Sequence, residues 1–93
     1  MMKIRAHIFI EGRVQGVFFR ARATERAVRL GVRGWIRNLP NGKVEGVFEG
    51  EEENVNALLD FCKVGPSSAE VEKVDVEKST YTGAFEDFRI RYR

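Results

Sequence analysis

The sequence predicts an α+β fold in which two helices cover one face of an antiparallel sheet. Three observations lead to that prediction. Two segments repeat apolar residues with the 3.6-residue period of a helix, and the segments around them alternate apolar and polar residues as half-buried strands do. An Asn41-Gly42 pair between two strand-like runs is typical of a hairpin turn. We expect the 93 residues to form a single domain, 1–93, with one modest core.

The order of these segments specifies the arrangement. It is β-α-β-β-α-β followed by a short final strand, which is the split βαβ or ferredoxin-like sandwich. In the fourth strand the apolar residues change phase by one position, which predicts a β-bulge. The predicted elements are a strand over 4–10, a helix over 20–30, strands over 32–38 and 43–49, a helix opened by Gly50 and ended by Gly65-Pro66, a strand through Val71, Val74 and Val76, and a last strand over 88–92.

The composition is that of an ordinary globular protein, since hydrophobic residues make up 43% of the chain and charged residues 32%. No apolar run approaches the roughly 20 residues of a membrane span, and the N-terminus lacks the cleavage site of a signal peptide. A lone cysteine fits a reducing compartment, so we expect a cytoplasmic protein. One glutamine, four asparagines and eleven arginines favour a thermostable one.

Positive charge is concentrated in the first half of the chain. Residues 1–43 hold ten basic and two acidic residues, whereas residues 44–93 hold six basic and twelve acidic ones. Such asymmetry is typical of a protein with an anionic partner. Two solvated faces of opposite charge are the alternative explanation, and for most of these side chains we favour it.

The stretch GRVQGVFFR, residues 12–20, lies where the first strand ends and the first helix begins. The first N–H groups of a helix lack internal partners and lie at the positive end of its dipole, so this position can bind an anion. Glycines let successive N–H groups turn inward, and Arg20 offers a planar fork of donors. The ending Phe-Phe-Arg is not the Gly-Lys-Ser/Thr of a Walker loop. On composition alone, a glycine-containing turn with a surface arginine explains the stretch equally well.

Few other residues suggest chemistry. Asn38 closes the second strand, where its side chain could simply cap the hairpin turn, and Trp35 is expected in the core or in a pocket wall. His7 is the only histidine and lies within the first strand, which argues against a metal site or a Ser-His pair. Cys62 lies on the apolar face of the second helix and is expected to be inert. The acidic run 51–53 is expected to stabilise the start of that helix.

The segments IEGRVQGVFFR and GWIRNLPNGKVEGVFEG together resemble the acylphosphatase family, and the resemblance covers essentially the whole chain. It implies a ferredoxin-like enzyme that hydrolyses carboxyl-phosphate mixed anhydrides, or acyl phosphates, to carboxylate and inorganic phosphate. It implies that Arg20 binds the phosphate and that Asn38 orients the attacking water. It also implies that main-chain N–H groups share the phosphate, namely those of Gln15, Gly16, Val17, Phe18 and Phe19.

This chemistry needs no metal and no cofactor, because an acyl phosphate expels a carboxylate whose conjugate acid has a pKa of about 4. We expect a monomer that binds small acyl phosphates and inorganic phosphate and no membrane. Nucleic acid is an alternative ligand for this fold, but the third strand, KVEGVFE, lacks the aromatic motif of RNA-recognition domains. An accessory module of a larger carbamoyl-handling protein is another alternative, and we expect an independent enzyme because the chain runs from Met1 to Arg93 with no partner domain.

Overall fold

The computed structural model describes residues 2–92, which form a five-stranded sheet with two helices against one of its faces. The predicted ferredoxin-like class is confirmed, and each predicted element is present. No helix among the described residues is both long and apolar enough to cross a membrane. The elements are β1 (Lys3–Arg13), α1 (Phe19–Leu30), β2 (Arg33–Asn38), β3 (Val44–Glu51), α2 (Glu52–Val64), β4 (Glu70–Thr80) and β5 (Phe88–Arg91).

The sheet is mixed, which refines the predicted antiparallel arrangement. The strand order is β4-β1-β3-β2-β5; β1 pairs antiparallel with β3 and β4, β2 pairs antiparallel with β3, and β2 pairs parallel with β5. The parallel pair follows from the connection 81–87, which carries the chain from one sheet edge to the other. Because β4 and β2 run in opposite directions, a strand that reverses direction after β4 and joins β2 must run parallel to it.

The core lies between the two helices and the face of the sheet that they cover. Ile8, Ile36 and Phe48 supply fully buried side chains from the sheet, and Ala23 and Leu58 supply them from α1 and α2. The apolar periodicities that predicted these elements therefore mark the surfaces that pack together. Cys62 of α2 belongs to this core, and burial raises the pKa of its thiol to about 12, so it stays protonated at neutral pH.

The first strand is longer than predicted. The stretch GRVQG was expected to end it, but β1 continues to Arg13 because it pairs with β4 as far as Glu70. The register shifts between Glu11 and Gly12, and Glu72 is the extra residue on β4, so the predicted bulge is confirmed. A Cβ at Gly12 would lie 2.1 Å from the carbonyl oxygen of Glu70, so only glycine allows this close approach.

The second helix begins later than predicted. Gly50 was expected to open it, but Gly50 lies within β3 opposite Ile4, and the pairing with β1 continues to Glu51. The prediction was wrong because it used only the residues near Gly50, whereas the length of a strand is set by the strand with which it pairs. Glu51 is the N-cap of α2, and Glu52 and Glu53 occupy the first turn, where negative charge is favourable.

The other face of the sheet, which we call the open face, carries no helix. Trp35 lies there because Gly34 and Ile36, its neighbours in β2, face the helices and are buried. The guanidinium of Arg37 lies 5.3 Å from the ring centroid of Trp35, and that of Arg91 lies 4.7 Å away. Trp35 is therefore not the core residue that was one of the two expectations for it: the ring is half-buried and lies close to two cations.

Candidate functional site

The loop 14–18, which joins β1 to α1, is fixed at both ends. Val14 at its start and Phe19 directly after it are each only 1% exposed, so the core holds both ends of the loop. The Ser68 hydroxyl, from the connection between α2 and β4, donates to the carbonyl oxygen of Val17 at 2.9 Å. The side chain of Val17 packs against the core as well. The loop is therefore anchored by the core and by the hydrogen bond from Ser68.

Gln15 joins this loop to the turn between β2 and β3. Its side-chain amide nitrogen donates to the carbonyl oxygens of Leu39 at 2.8 Å and Lys43 at 2.9 Å. Only the main-chain N–H of Gln15 was expected to have a role, so these hydrogen bonds of its side chain were missed. The available signal was that the chain's only glutamine lies in the stretch that resembles the family's phosphate loop. The clamp holds the loop next to the strand end that carries Asn38.

The backbone of the loop has two left-handed residues separated by one. Gly16 has φ 73°, and Phe18 has φ 63° and ψ 19°. Phe18 is the only non-glycine residue with positive φ among residues 2–92, and this conformation costs an L-residue about 1–2 kcal/mol. Alternation of this kind turns successive N–H groups towards one point, in the arrangement called a nest.

The main-chain N–H groups of residues 15–19 are uncommitted. Within residues 2–92, none of them donates a hydrogen bond to the protein, and α1 has neither a side-chain cap nor an acidic residue in its first turn. The start of α2 is different, because the N–H of Glu52 donates to the carbonyl of Met2 at 2.9 Å. The start of α1 therefore keeps both its donors and its positive dipole end available for an anion.

Arg20, the second residue of α1, lies beside these donors. Its guanidinium carbon is 5.3 Å from the ring centroid of Tyr92, and the side chain makes no ion pair or hydrogen bond with another described residue. A cavity of about 330 Å³ adjoins it, lined by Gly16, Phe18, Ile90 and Tyr92 among others. Ile90 and Tyr92 were not expected in the site. They alternate with arginines in the last strand, which places them on one face.

Two other depressions of the surface suit an anion less well. One of about 450 Å³ is lined by Glu11 and Glu72 as well as by lysines. Another of about 260 Å³, at the far end of the sheet, includes Glu49 and Glu51. Carboxylates repel an anion, and the cavity beside Arg20 has none in its lining. The chemistry of the lining therefore favours this cavity over those two, although the first of them is larger.

Asn38 lies at the end of β2, on the face that the helices cover. Its Oδ1 atom is buried and has no hydrogen-bond donor among the described residues. Ile36, two residues earlier, pairs with Ile90, which lines the cavity next to Arg20. Tyr92, two residues after Ile90, lines the same cavity. The sheet thus brings Asn38 and Arg20 to the same face and the same end, although Asn38 itself is outside the cavity lining.

Two buried carboxylates lie on the open face, and both have partners. Glu49 is 2% exposed and accepts hydrogen bonds from Arg5 Nη1 at 3.0 Å, from the N–H and hydroxyl of Thr82 at 3.0 and 2.6 Å, and from the N–H of Gly83 at 3.0 Å. Burial alone would raise the pKa of Glu49, but the donors from Thr82 and Arg5 outweigh it and lower the pKa. Glu49 is therefore an ionised structural group.

Glu45 is the second of these carboxylates. His7 Nε2 lies 2.6 Å from Glu45 Oε2, and Arg37 Nε donates to Glu45 Oε1 at 2.7 Å. Burial acts to raise the pKa of Glu45, and the hydrogen bonds from His7 and Arg37 lower it further than burial raises it. The only histidine is thus engaged on the face opposite to the loop. Within residues 2–92, no three histidine, cysteine or acidic side chains group together as a metal site would require.

The fold and this geometry define a class: a ferredoxin-like domain with a run of uncommitted main-chain N–H groups before its first helix. Comparison with known proteins gives the family. A family model described as Acylphosphatase matches residues 6–90. The chain is similar to the acylphosphatases of Syntrophus aciditrophicus (60% identical over 99% of this chain and 95% of the relative) and Geotalea uraniireducens (54% identical over 98% and 100%). The crystal structure of acylphosphatase from Bacillus subtilis superimposes with a TM-score of 0.91 at 30% identity, covering 96% of this chain and 99% of that one.

The chain therefore belongs to the acylphosphatase family, and it is an enzyme, a hydrolase that acts on acid anhydrides.

Proposed function

We propose that the loop 12–20 holds the phosphate of an acyl phosphate while Asn38 orients the water that hydrolyses it, without a metal ion. The observation that carries this proposal is the set of uncommitted main-chain N–H groups at 15–19 next to Arg20. The first N–H groups of a helix lack partners within the helix and are met by a cap, by water or by a ligand. A run of donors without a cap, beside a cation without an ion pair, fits a ligand with several anionic oxygens.

Each part of the site has a separate task in this proposal. The planar guanidinium of Arg20 contacts two phosphoryl oxygens, and the N–H groups of 15–19 contact the rest. Phosphoryl transfer passes through a loose transition state with charge spread over these oxygens, so fixed donors stabilise it without moving. The Gln15 clamp and the buried anchors Val14 and Phe19 keep the donors in place.

Asn38 supplies orientation and not basicity. Its unpartnered Oδ1 accepts a hydrogen bond from the attacking water and fixes the water relative to phosphorus. The water oxygen forms the new bond to phosphorus, and the bond between phosphorus and the acyl oxygen breaks with its electron pair on the carboxylate. The proton of the water passes to a phosphate oxygen of the substrate. Because no protein group acts as a base, we expect a flat pH–rate profile from about pH 5 to 7.

The leaving group explains why so few residues suffice. The conjugate acid of a carboxylate has a pKa of about 4, so the group leaves unprotonated at neutral pH. An alkoxide from an alkyl phosphate is far more basic and would need a general acid or a metal ion. The cavity beside Arg20 has no carboxylic acid and no imidazole in its lining to act as that acid, which supports a specificity for acyl phosphates.

The direct test is hydrolysis of acetyl phosphate and benzoyl phosphate by the purified chain in the presence of EDTA. We expect turnover of both acyl phosphates, competitive inhibition by inorganic phosphate, and no turnover of an alkyl phosphate. Activity that required added Mg²⁺ would contradict the metal-free mechanism, and equal turnover of the alkyl phosphate would contradict the argument from the leaving group.

A further inference from the structure

Two large aromatic side chains are exposed at the same place. Phe18 is 73% exposed and Tyr92 is 79% exposed, and both line the cavity beside Arg20. The other large hydrophobic side chains exposed among the described residues are aliphatic, and none of them lines this cavity. Two exposed aromatic rings that flank one anion site form an apolar surface next to a charged one.

The fold gains little from either ring. Phe18 holds a left-handed conformation that a glycine or an asparagine would adopt at lower cost, and its ring is outside the core. Tyr92 lies beyond the end of β5, and its ring lies against the guanidinium of Arg20. Apolar surface that is exposed beside a binding site is typical of a surface that a ligand covers.

We propose that Phe18 and Tyr92 bind the acyl group of the substrate, so that the enzyme prefers aromatic acyl phosphates to acetyl phosphate. This inference rests on the proposed function, because the loop must hold the phosphate for the acyl group to reach the rings. The cavity of about 330 Å³ is at the lower end of the size of small-molecule sites, roughly 300–1,000 Å³, and suits one compact group such as benzoyl. An acetyl group offers only one methyl group to the rings.

The experiment compares kcat/KM for benzoyl phosphate and acetyl phosphate in the wild type and in Tyr92→Ala, Phe18→Asn and Tyr92→Phe. Asparagine tolerates the left-handed conformation, so Phe18→Asn removes the ring with little strain. We expect the benzoyl-to-acetyl ratio to fall about 5- to 10-fold in each variant without a ring, as for the loss of one aromatic contact. Tyr92→Phe keeps the ring and should keep the ratio.

Two controls separate the acyl group from the phosphate. The inhibition constant of inorganic phosphate reports on the anion site alone in every variant. Val64→Ala removes an equally exposed side chain (72%) at the end of α2, away from the cavity, and should leave the ratio unchanged.

The results test the proposed function and the assignment of the acyl group separately. A wild type that hydrolyses neither substrate would overturn the proposed function before any variant is made. If the wild type is active and Tyr92→Ala lowers kcat/KM equally for both substrates, the ring acts only through Arg20 and the assignment of the acyl group is wrong. An unchanged ratio in both Tyr92→Ala and Phe18→Asn would refute it as well.

Discussion

Polar groups on the two faces of the sheet differ in whether they have hydrogen-bond partners. On the open face, the carboxylate of Glu49 is buried and receives four hydrogen bonds from three residues. On the helix face, the Oδ1 atom of Asn38 is buried and receives none, and the N–H groups of 15–19 donate none, among the described residues. The hydrogen bonds of Glu49 stabilise the fold, whereas the groups on the helix face are available to bind a ligand.

The free energies involved make this contrast measurable. A buried polar atom without a partner costs about 1–3 kcal/mol of stability, whereas a satisfied one costs little. Substitutions at Arg20 and Asn38 should therefore change catalysis and leave the free energy of unfolding nearly constant. Substitutions at Glu49 should change the free energy of unfolding and leave catalysis nearly constant.

The largest expected effect follows the loss of the Arg20 guanidinium. We expect Arg20→Ala to lower kcat/KM for benzoyl phosphate by about 1,000-fold or more, because it removes two charge-assisted donors from the transition state. Arg20→Lys should recover little of this, since a point charge cannot replace the planar fork. Arg20 has no ion pair among residues 2–92, so urea denaturation should show a change within about 0.5 kcal/mol. An active Arg20→Lys enzyme would contradict the bidentate role.

The next effect is the loss of the Asn38 amide. We expect Asn38→Ala to lower kcat about 100-fold, the size of a lost orienting contact, and to change the inhibition constant of phosphate by less than about twofold. The variant should be no less stable than the wild type, because it removes a buried acceptor that has no donor. If it instead weakened phosphate binding and spared kcat, Asn38 would belong to the anion site and not to the water.

A third expected effect is on stability alone. Glu49→Ala leaves Arg5 and two main-chain N–H groups without their acceptor, so we expect it to lower the free energy of unfolding by about 2–4 kcal/mol. Benzoyl phosphate turnover at 25 °C should stay within about twofold, because the groups lie on opposite faces of the sheet. Glu25→Ala is the matched control: its pair with Arg22 is about half exposed and should contribute less than about 1 kcal/mol. Equal losses from both variants would remove the distinction between the two faces.

Local sequence patterns predicted the elements of the fold correctly, and they failed where a neighbouring strand decides the outcome. The helix periods, the Asn-Gly turn and the glycine after α1 are all signals within a few residues. The ends of β1 and β3 depend on pairing partners about 40 to 60 positions away, which no local signal reveals. The parallel pair of β2 and β5 depends in the same way on the route of residues 81–87.

The same distinction applies to the site. The loop and Asn38 were singled out because they match a short pattern, and the structure places both at one end of the helix face. The Gln15 clamp and the position of Tyr92 beside Arg20 depend on how the loop, the hairpin and β5 meet. Neither could be read from spacing, because each is a contact between distant parts of the chain.

The smallest expected effect is the dependence of stability on pH. Hydrogen bonds lower the pKa of Glu45 and Glu49 below the usual value of 4.5, so the unfolded chain binds protons more readily than the folded one. The stabilisation is complete above that pH and is lost as the pH falls through the lower folded pKa values, at up to about 1.4 kcal/mol per pH unit for each proton. Urea denaturation from pH 7 to pH 3 should show this decline, and Glu49→Gln should have a flatter one because it lacks one titrating group. Asn38→Ala should keep the wild-type slope, since Asn38 does not titrate. Equal slopes in the wild type and Glu49→Gln would mean that Glu49 is not held ionised by its partners, and the contrast between the two faces would then rest on geometry alone.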